Sequence, residues 1–172
     1  MGKGAACDAA LEAYAASGVD RAVVAVGGSV GVYGEKPFSQ PWQIAVRDPR
    51  GEGSLGTLSI RSGFVSTSGS YEKQFTENGK TYCHLLDPKT GYPAESGLVS
   101  VTVWSKAGAL SDALSTACFV LGLEESLPLL DEFEAEAVFI TEEHEIYVTQ
   151  GLQEAFQLKS GDYAQRELSP AG

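Results

Sequence analysis

The chain has 172 residues, 43% hydrophobic and 20% charged, so it is about one domain of ordinary globular sequence, able to bury a core without disulfide staples. Twelve Lys and Arg stand against 23 Asp and Glu; a net charge of −11 excludes a nucleic-acid or anionic-membrane partner held by a basic face, but not a phosphate-bearing ligand reached through a divalent cation. No apolar run approaches the ~18 residues of a membrane helix, and Met1-Gly2-Lys3-Gly4 leads into Ala-rich sequence with no apolar core, so neither a membrane contact nor a signal peptide is expected of this segment. The single methionine, Met1, fits a start added to a piece of a longer protein.

The pattern predicts a helix over 5–17, Ala-rich with Leu11 and Tyr14 at helical spacing, stopped by Gly18. A short buried strand is expected over 21–26, ended by Gly27-Gly28. Residues 42–47 alternate with period two, and 55–60 and 63–68 read as two further strands. A hairpin is expected from 71–75 and 81–86 around Glu77-Asn78-Gly79. The β-branched run 98–104 is the clearest strand. It is followed by a helix over 107–121 closed by Gly122, and by a shorter helix over 124–133 containing Pro128. A hairpin over 137–141 and 145–149 precedes a mixed tail that frays at Ser169-Pro170. Runs of strands interrupted by helices give an α+β fold with a mixed, mainly antiparallel sheet.

Four stretches offer chemistry. His84 ends a strand beside Asp87-Pro88-Lys89-Thr90-Gly91, where Asp87 can cap a turn, Pro88 presets φ and Gly91 permits positive φ; a histidine held there is placed as a general base, or is a core histidine beside a well-made turn. On the 107–121 helix, Leu110, Leu114, Ala117, Cys118 and Leu121 form an apolar stripe. Asp112 and Thr116 lie together on another side that also carries Phe119 and Val120, so that side faces a further layer. A carboxylate and a hydroxyl one turn apart supply hard oxygens for Mg²⁺; the alternative is a polar helix turn with Thr116 bonded back to a carbonyl. Gly2-Lys3-Gly4 opens a helix whose free N–H groups could hold an anion, with Asp8 one turn in. Val65 to Tyr71 brings Thr67, Ser68 and Gly69 out of a strand, as a ligand contact or as a plain loop. Cys7, Cys83 and Cys118 show no C-x-x-C spacing and are expected as three free thiols, with Cys118 buried and Cys83 on the strand face opposite His84. His144 sits in an acidic hairpin tip with nothing to place it at a ligand.

In this order the pieces resemble the ApbE family of FAD:protein FMN transferases. The family's H-x-x-D-P-x-T-G is matched by His84, Asp87, Pro88, Thr90 and Gly91; its D-A-L-S-T by Asp112 to Thr116; its T-S-G-x-Y by Thr67, Ser68, Gly69 and Tyr71; its K-G-x-x-x-D by Lys3, Gly4 and Asp8. The resemblance covers residues 2 to about 156 and implies a T-fold-like architecture. It implies Mg²⁺-dependent transfer of FMN from FAD to a Thr or Ser hydroxyl of an acceptor protein, with release of AMP. It makes Asp112, Thr116 and the carbonyl of Gly2 metal ligands and His84 the base. Lys3, Gly4, Asp8, Ser68, Gly69, Tyr71 and Thr90 would serve the FAD, Thr90 and Asp87 chiefly by shaping the turn. Ser29 stands after Gly27-Gly28 where the family often carries Asp or Asn, which leaves that contact open. The resemblance further implies that 1–172 is the C-terminal, motif-bearing portion, with an absent N-terminal portion that adds to FAD binding. It places the parent protein outside the cytoplasm on a lipid anchor. Two other readings use the same residues: a metal-dependent FAD pyrophosphatase giving FMN and AMP, and a flavin-binding fragment without catalysis.

Overall fold

Among the residues that the computed structural model describes, 1–77 and 79–168, the elements run in chain order α1 (Gly2–Ala16), β1 (Ala22–Val26), β2 (Ser29–Tyr33), β3 (Trp42–Arg47), β4 (Ser54–Ile60), β5 (Gly63–Gly69), β6 (Gln74–Glu77), β7 (Lys80–Cys83), β8 (Leu98–Ser105), α2 (Gly108–Leu121), α3 (Leu123–Glu132), β9 (Glu136–Thr141), β10 (Glu145–Val148), β11 (Phe156–Leu158) and β12 (Ala164–Arg166). Asn78 of the expected turn and the expected fraying point at Ser169-Pro170 lie outside the described residues. No described helix is long and apolar enough to cross a membrane.

The central sheet has the order β1-β2-β5-β8-β9-β10-β12, antiparallel throughout except for the parallel pair β10–β12. Its middle strands bury both faces. On β9, Ala137 and Phe139 point into a core shared with Leu114, Cys118 and Phe119 of α2 and Leu130 of α3, while Val138 and Ile140 point the other way into a core with Leu55, Leu58 and Phe156. That second core is closed by a small antiparallel sheet, β11-β4-β3. The result is three layers (helices, large sheet, small sheet), the mainly antiparallel α+β architecture expected from the pattern. A two-stranded ribbon, β6–β7, stands outside both sheets, and every residue of β6 is exposed.

Three expectations change. β1 is an edge strand, so its residues alternate between half-buried and exposed, with Val23 46% exposed, where a buried strand was expected. β2 was not foreseen: Gly31 interrupts its apolar run because a side chain there would overlap Phe64 and Leu11, which lets α1 lie close on the strand. The buried side of α2 is centred on Ser111, Ser115, Cys118 and Phe119 rather than on the leucine stripe; Leu110 and Leu121 are only half-buried. Small hydroxyl side chains bring α2 near the sheet and satisfy one another. Ser66 Oγ on β5 donates to Ser29 Oγ at 2.9 Å and lies 2.8 Å from Ser111 Oγ, and Ser68 Oγ lies 2.9 Å from Ser115 Oγ. Ser29 is therefore spent in the interior, 1% exposed, where the family's Asp or Asn contact had been left open.

Candidate active site

α2 is held at its N-terminus by α1. Ala107 caps it with no side chain of its own; both oxygens of Asp8 accept instead, Oδ1 from Gly108 N–H at 2.6 Å and Oδ2 from Ala109 N–H at 2.8 Å. A carboxylate on the first free amides of a helix is a charge-assisted cap. Gly4 and Gly108 make the approach possible, since a Cβ on either would overlap the other's backbone. Asp8, expected at the ligand, thus stands at the foot of α2, and Gly4 is the contact point between two helices.

The same seat fixes Asp112, 4% exposed. Its Oδ2 accepts from Gly4 N–H at 2.9 Å and lies 3.1 Å from the amino group of Met1. Burial would raise this carboxyl; the Gly4 amide, the amino group and Lys3 more than offset that and hold it below the usual carboxylate value. One turn on, the exposed Thr116 hydroxyl lies 3.1 Å from Ser68 Oγ and donates to the Asp112 carbonyl at 3.4 Å, the back-bond foreseen as its alternative role.

Asp112 and Thr116 open on a cavity of about 840 Å³ that Lys3, Ser68, Tyr71 and His84 also line. His84 is exposed, follows β7, and donates its backbone N–H to the Lys73 carbonyl at 3.0 Å. The turn after it forms as expected: Asp87 Oδ1 accepts from Lys89 N–H at 2.8 Å, its carbonyl accepts from Gly91 N–H at 2.8 Å, and Gly91 has φ +74°. Thr90 does not join the cavity; its hydroxyl accepts from Tyr92 N–H at 3.2 Å and it borders a separate hollow. Gly69 acts through Tyr71, because a Cβ there would overlap the ring. Cys83 and His84 line different hollows, as strand parity required. Cys7, Cys83 and Cys118 are free, with Cys118 buried and its thiol pushed up by that burial. His144 lies elsewhere, stacked on Tyr163.

The sequence reading missed two of the cavity's three Lys and Arg residues, Arg47 and Lys73. Lys3, Arg47 and Lys73 line the cavity against Glu72 and Asp112, an excess of positive charge within a chain of net −11. The Arg47 guanidinium lies 5.2 Å from the centre of the Tyr71 ring, a cation–π distance. Period-two alternation on β3 put Arg47 opposite Trp42, Ile44 and Val46, but nothing local said that its face looked over a cavity. Burial comes first in raising the Tyr71 hydroxyl above its ordinary value, which keeps it neutral and a donor.

The donor set suits Mg²⁺ in two of its three expected members. Asp112 and Thr116 bring one ionised carboxylate and one hydroxyl to the same opening, the sparse hard-oxygen set that Mg²⁺ completes with phosphate and water. Gly2 is the third expected member. It is the first residue of α1, the helix whose Gly4 amide meets Asp112. Among the described residues no group of three or more His, Cys, Asp or Glu gathers as a metal cluster.

Comparison with known proteins gives the family and the fold. The ApbE family model matches residues 1–139. The FAD:protein FMN transferase of Rhodobacter capsulatus is 39% identical over 163 residues, 94% of this chain and 31% of that protein. The FAD:protein FMN transferase of Treponema pallidum is 36% identical over 163 residues, 88% of this chain and 45% of that protein. The crystal structure of the ApbE protein from Thermotoga maritima superposes with a TM-score of 0.82 at 35% identity, covering 89% of this chain and 50% of that one. The flavinyl transferase ApbE of Pseudomonas stutzeri, apo form, gives 0.73 at 35% identity over 89% of this chain and 49% of that one. The chain covers between 31% and 50% of the length of these relatives. The chain belongs to the ApbE family.

Proposed function

We propose that the chain carries the reacting groups of an FAD:protein FMN transferase that moves FMN from FAD to a Thr or Ser hydroxyl of an acceptor protein and releases AMP. The observation that carries this reading is the convergence on one cavity of an exposed imidazole, two hard-oxygen donors and an excess of cations. Lys3, Arg47 and Lys73 offer charge to the pyrophosphate, and Tyr71 a neutral ring and hydroxyl to the flavin nucleotide. A magnesium ion held by Asp112 and Thr116 would screen the pyrophosphate and withdraw electrons from phosphorus. His84 takes the proton of the acceptor hydroxyl as its oxygen bonds to the FMN phosphorus; the P–O bond to AMP breaks, and AMP leaves with the electron pair.

The test is covalent flavin fluorescence appearing on a threonine-bearing acceptor in the presence of FAD and Mg²⁺. His84→Ala is expected to leave FAD binding nearly unchanged and to slow transfer about 10²- to 10⁴-fold. Transfer at the parent rate would overturn the base assignment. Release of FMN and AMP without labelling of any acceptor would favour water as the acceptor and a pyrophosphatase in its place.

A further inference from the structure

The face of α2 that meets β5 carries two rows of hydroxyls, one helical turn apart. In the first row Ser111 Oγ donates to the Gly108 carbonyl at 3.0 Å, Ser66 Oγ lies 2.8 Å from Ser111 Oγ, and the row ends on Ser29, deep in the interior. In the second row Ser115 Oγ donates to the Asp112 carbonyl at 3.0 Å, Ser68 Oγ lies 2.9 Å from Ser115 Oγ, and Thr116 Oγ1 lies 3.1 Å from Ser68 Oγ. The rows are built alike and differ at their ends. The second ends on an exposed threonine that lines the cavity beside Asp112.

The second row has a direction. A hydroxyl has one proton and a carbonyl oxygen only accepts, so the Ser115 proton is committed to Asp112. Ser115 Oγ therefore accepts from Ser68. Ser68, its own proton spent, accepts from Thr116. This assignment gives each of these contacts a proton. The Asp112 carbonyl, at 3.4 Å, is a second and longer acceptor for the Thr116 hydroxyl, and it too draws the proton inward. Thr116 Oγ1 thus shows the cavity lone pairs and no hydrogen. An oxygen presented in this way receives a cation or a hydrogen-bond donor and gives nothing to a phosphate oxygen. The Asp112 carboxylate beside it is likewise an acceptor only.

We infer that Ser68 and Ser115 are positioning residues that hold the Thr116 proton inside the chain, so that its oxygen faces the cavity ready for a divalent cation. This rests on the proposed metal role of Asp112 and Thr116, and adds the groups that set Thr116 for it. Ser68, expected at the FAD, has its hydroxyl committed to the protein on both sides. Ser115 is 0% exposed and acts only through its neighbours. Groups behind a metal ligand commonly carry about 10- to 100-fold in metal affinity.

The experiment reads metal binding, not turnover. Mn²⁺ stands in for Mg²⁺ and is titrated into the intact chain with FAD present. The bound fraction is read from the loss of the free-ion electron paramagnetic resonance signal. Ser68→Ala is expected to weaken Mn²⁺ about tenfold. Thr116→Val removes the oxygen itself and should weaken it at least as much. Adding Ser68→Ala to Thr116→Val should then cost nothing further, because Ser68 acts through Thr116. Ser115→Ala should weaken Mn²⁺ in the same direction and leave metal-free FAD binding, read by flavin fluorescence quenching, at the parent value. Parent affinity for Mn²⁺ in Ser68→Ala or Ser115→Ala, or losses that add in the double variant, would overturn the relay and leave the metal reading standing. Loss of metal-free FAD binding in Ser115→Ala would mean that packing was damaged, and would overturn it as well. Parent affinity in Thr116→Val, or no Mn²⁺ binding by the parent chain, would strike the metal reading itself and this assignment with it.

Discussion

The two sides of the cavity lined by Asp112 and His84 are built differently. The Asp112 side is the seat of α2, whose polar groups meet partners far along the chain: Asp8 on the α2 amides, Gly4 on Asp112, serines of β5 on serines of α2. The His84 side is a surface strap of one ribbon and one tight turn, with His84 and Leu86 exposed and β6 in water along its length. A site proposed for a metal gains from oxygens already in place, because a preorganised donor set need not be ordered when the ion binds. A base that receives a proton from an incoming protein can sit on a strap that the acceptor completes. The difference teaches that the half of the site proposed for the metal is part of the core, and the half proposed for proton transfer belongs to the surface.

The sharpest way to break this contrast is at the helix contact. Gly4→Ala forces a methyl into the Gly108 carbonyl and is expected to cost about 3 kcal/mol in urea unfolding, or to prevent folding. A loss under 1 kcal/mol would mean that the α1–α2 seat is not rigid. Asp8→Ala removes two charge-assisted caps and should cost about 2 kcal/mol, with Asp8→Asn recovering part of it.

An intermediate case is the turn after β3, next to Arg47. Tyr163 donates its hydroxyl to Asp48 Oδ1 at 2.6 Å. Burial works to raise Asp48; the Tyr163 hydroxyl and the Arg50 and Gly51 amides outweigh it and hold the carboxyl below 3.8. A depressed carboxyl stabilises the fold above its unfolded value and loses that contribution as pH falls through the folded one. Tyr163→Phe should therefore cost about 1.5 kcal/mol at neutral pH and less below about pH 3.8. A penalty that does not change with pH would mean that packing, not the hydrogen bond, is lost.

At the small end, Phe75→Ala and Leu86→Ala on the strap should move stability by less than about 0.5 kcal/mol. Amides of β6 should exchange with deuterium well before those of α2. Slow exchange in β6 would erase the contrast between the two sides.

Much of the seat was legible in the sequence. Gly122 ends α2 with φ +86°, and the parity of Cys83 and His84 sent them to different hollows. The spacing of Asp112 and Thr116 put both on one opening. What stayed hidden depends on partners far along the chain. Asp8 caps a helix 100 residues away, so its carboxylate read as a ligand when it is a foundation. The serines of α2 were assigned no place in the sequence reading, because the serines that meet them lie on β5. β11 and β12, three residues each, are too short for periodicity to register, and they form only because β4 and β10 offer free edges. Arg47 and Lys73 carry no local sign of facing the same cavity as Lys3, and only the sheet brings them there.

The central claim is that Asp112 prepares the cavity for an anionic dinucleotide and its cation. It is tested most directly by calorimetric titration of FAD into the chain with and without Mg²⁺, for the parent, Asp112→Asn and His84→Ala. Asp112→Asn keeps an acceptor for the Gly4 amide and removes the charge, so the fold should hold. Mg²⁺ is expected to tighten FAD binding in the parent and in His84→Ala, and to have no effect in Asp112→Asn. An equal response to Mg²⁺ in Asp112→Asn and in the parent would contradict the claim.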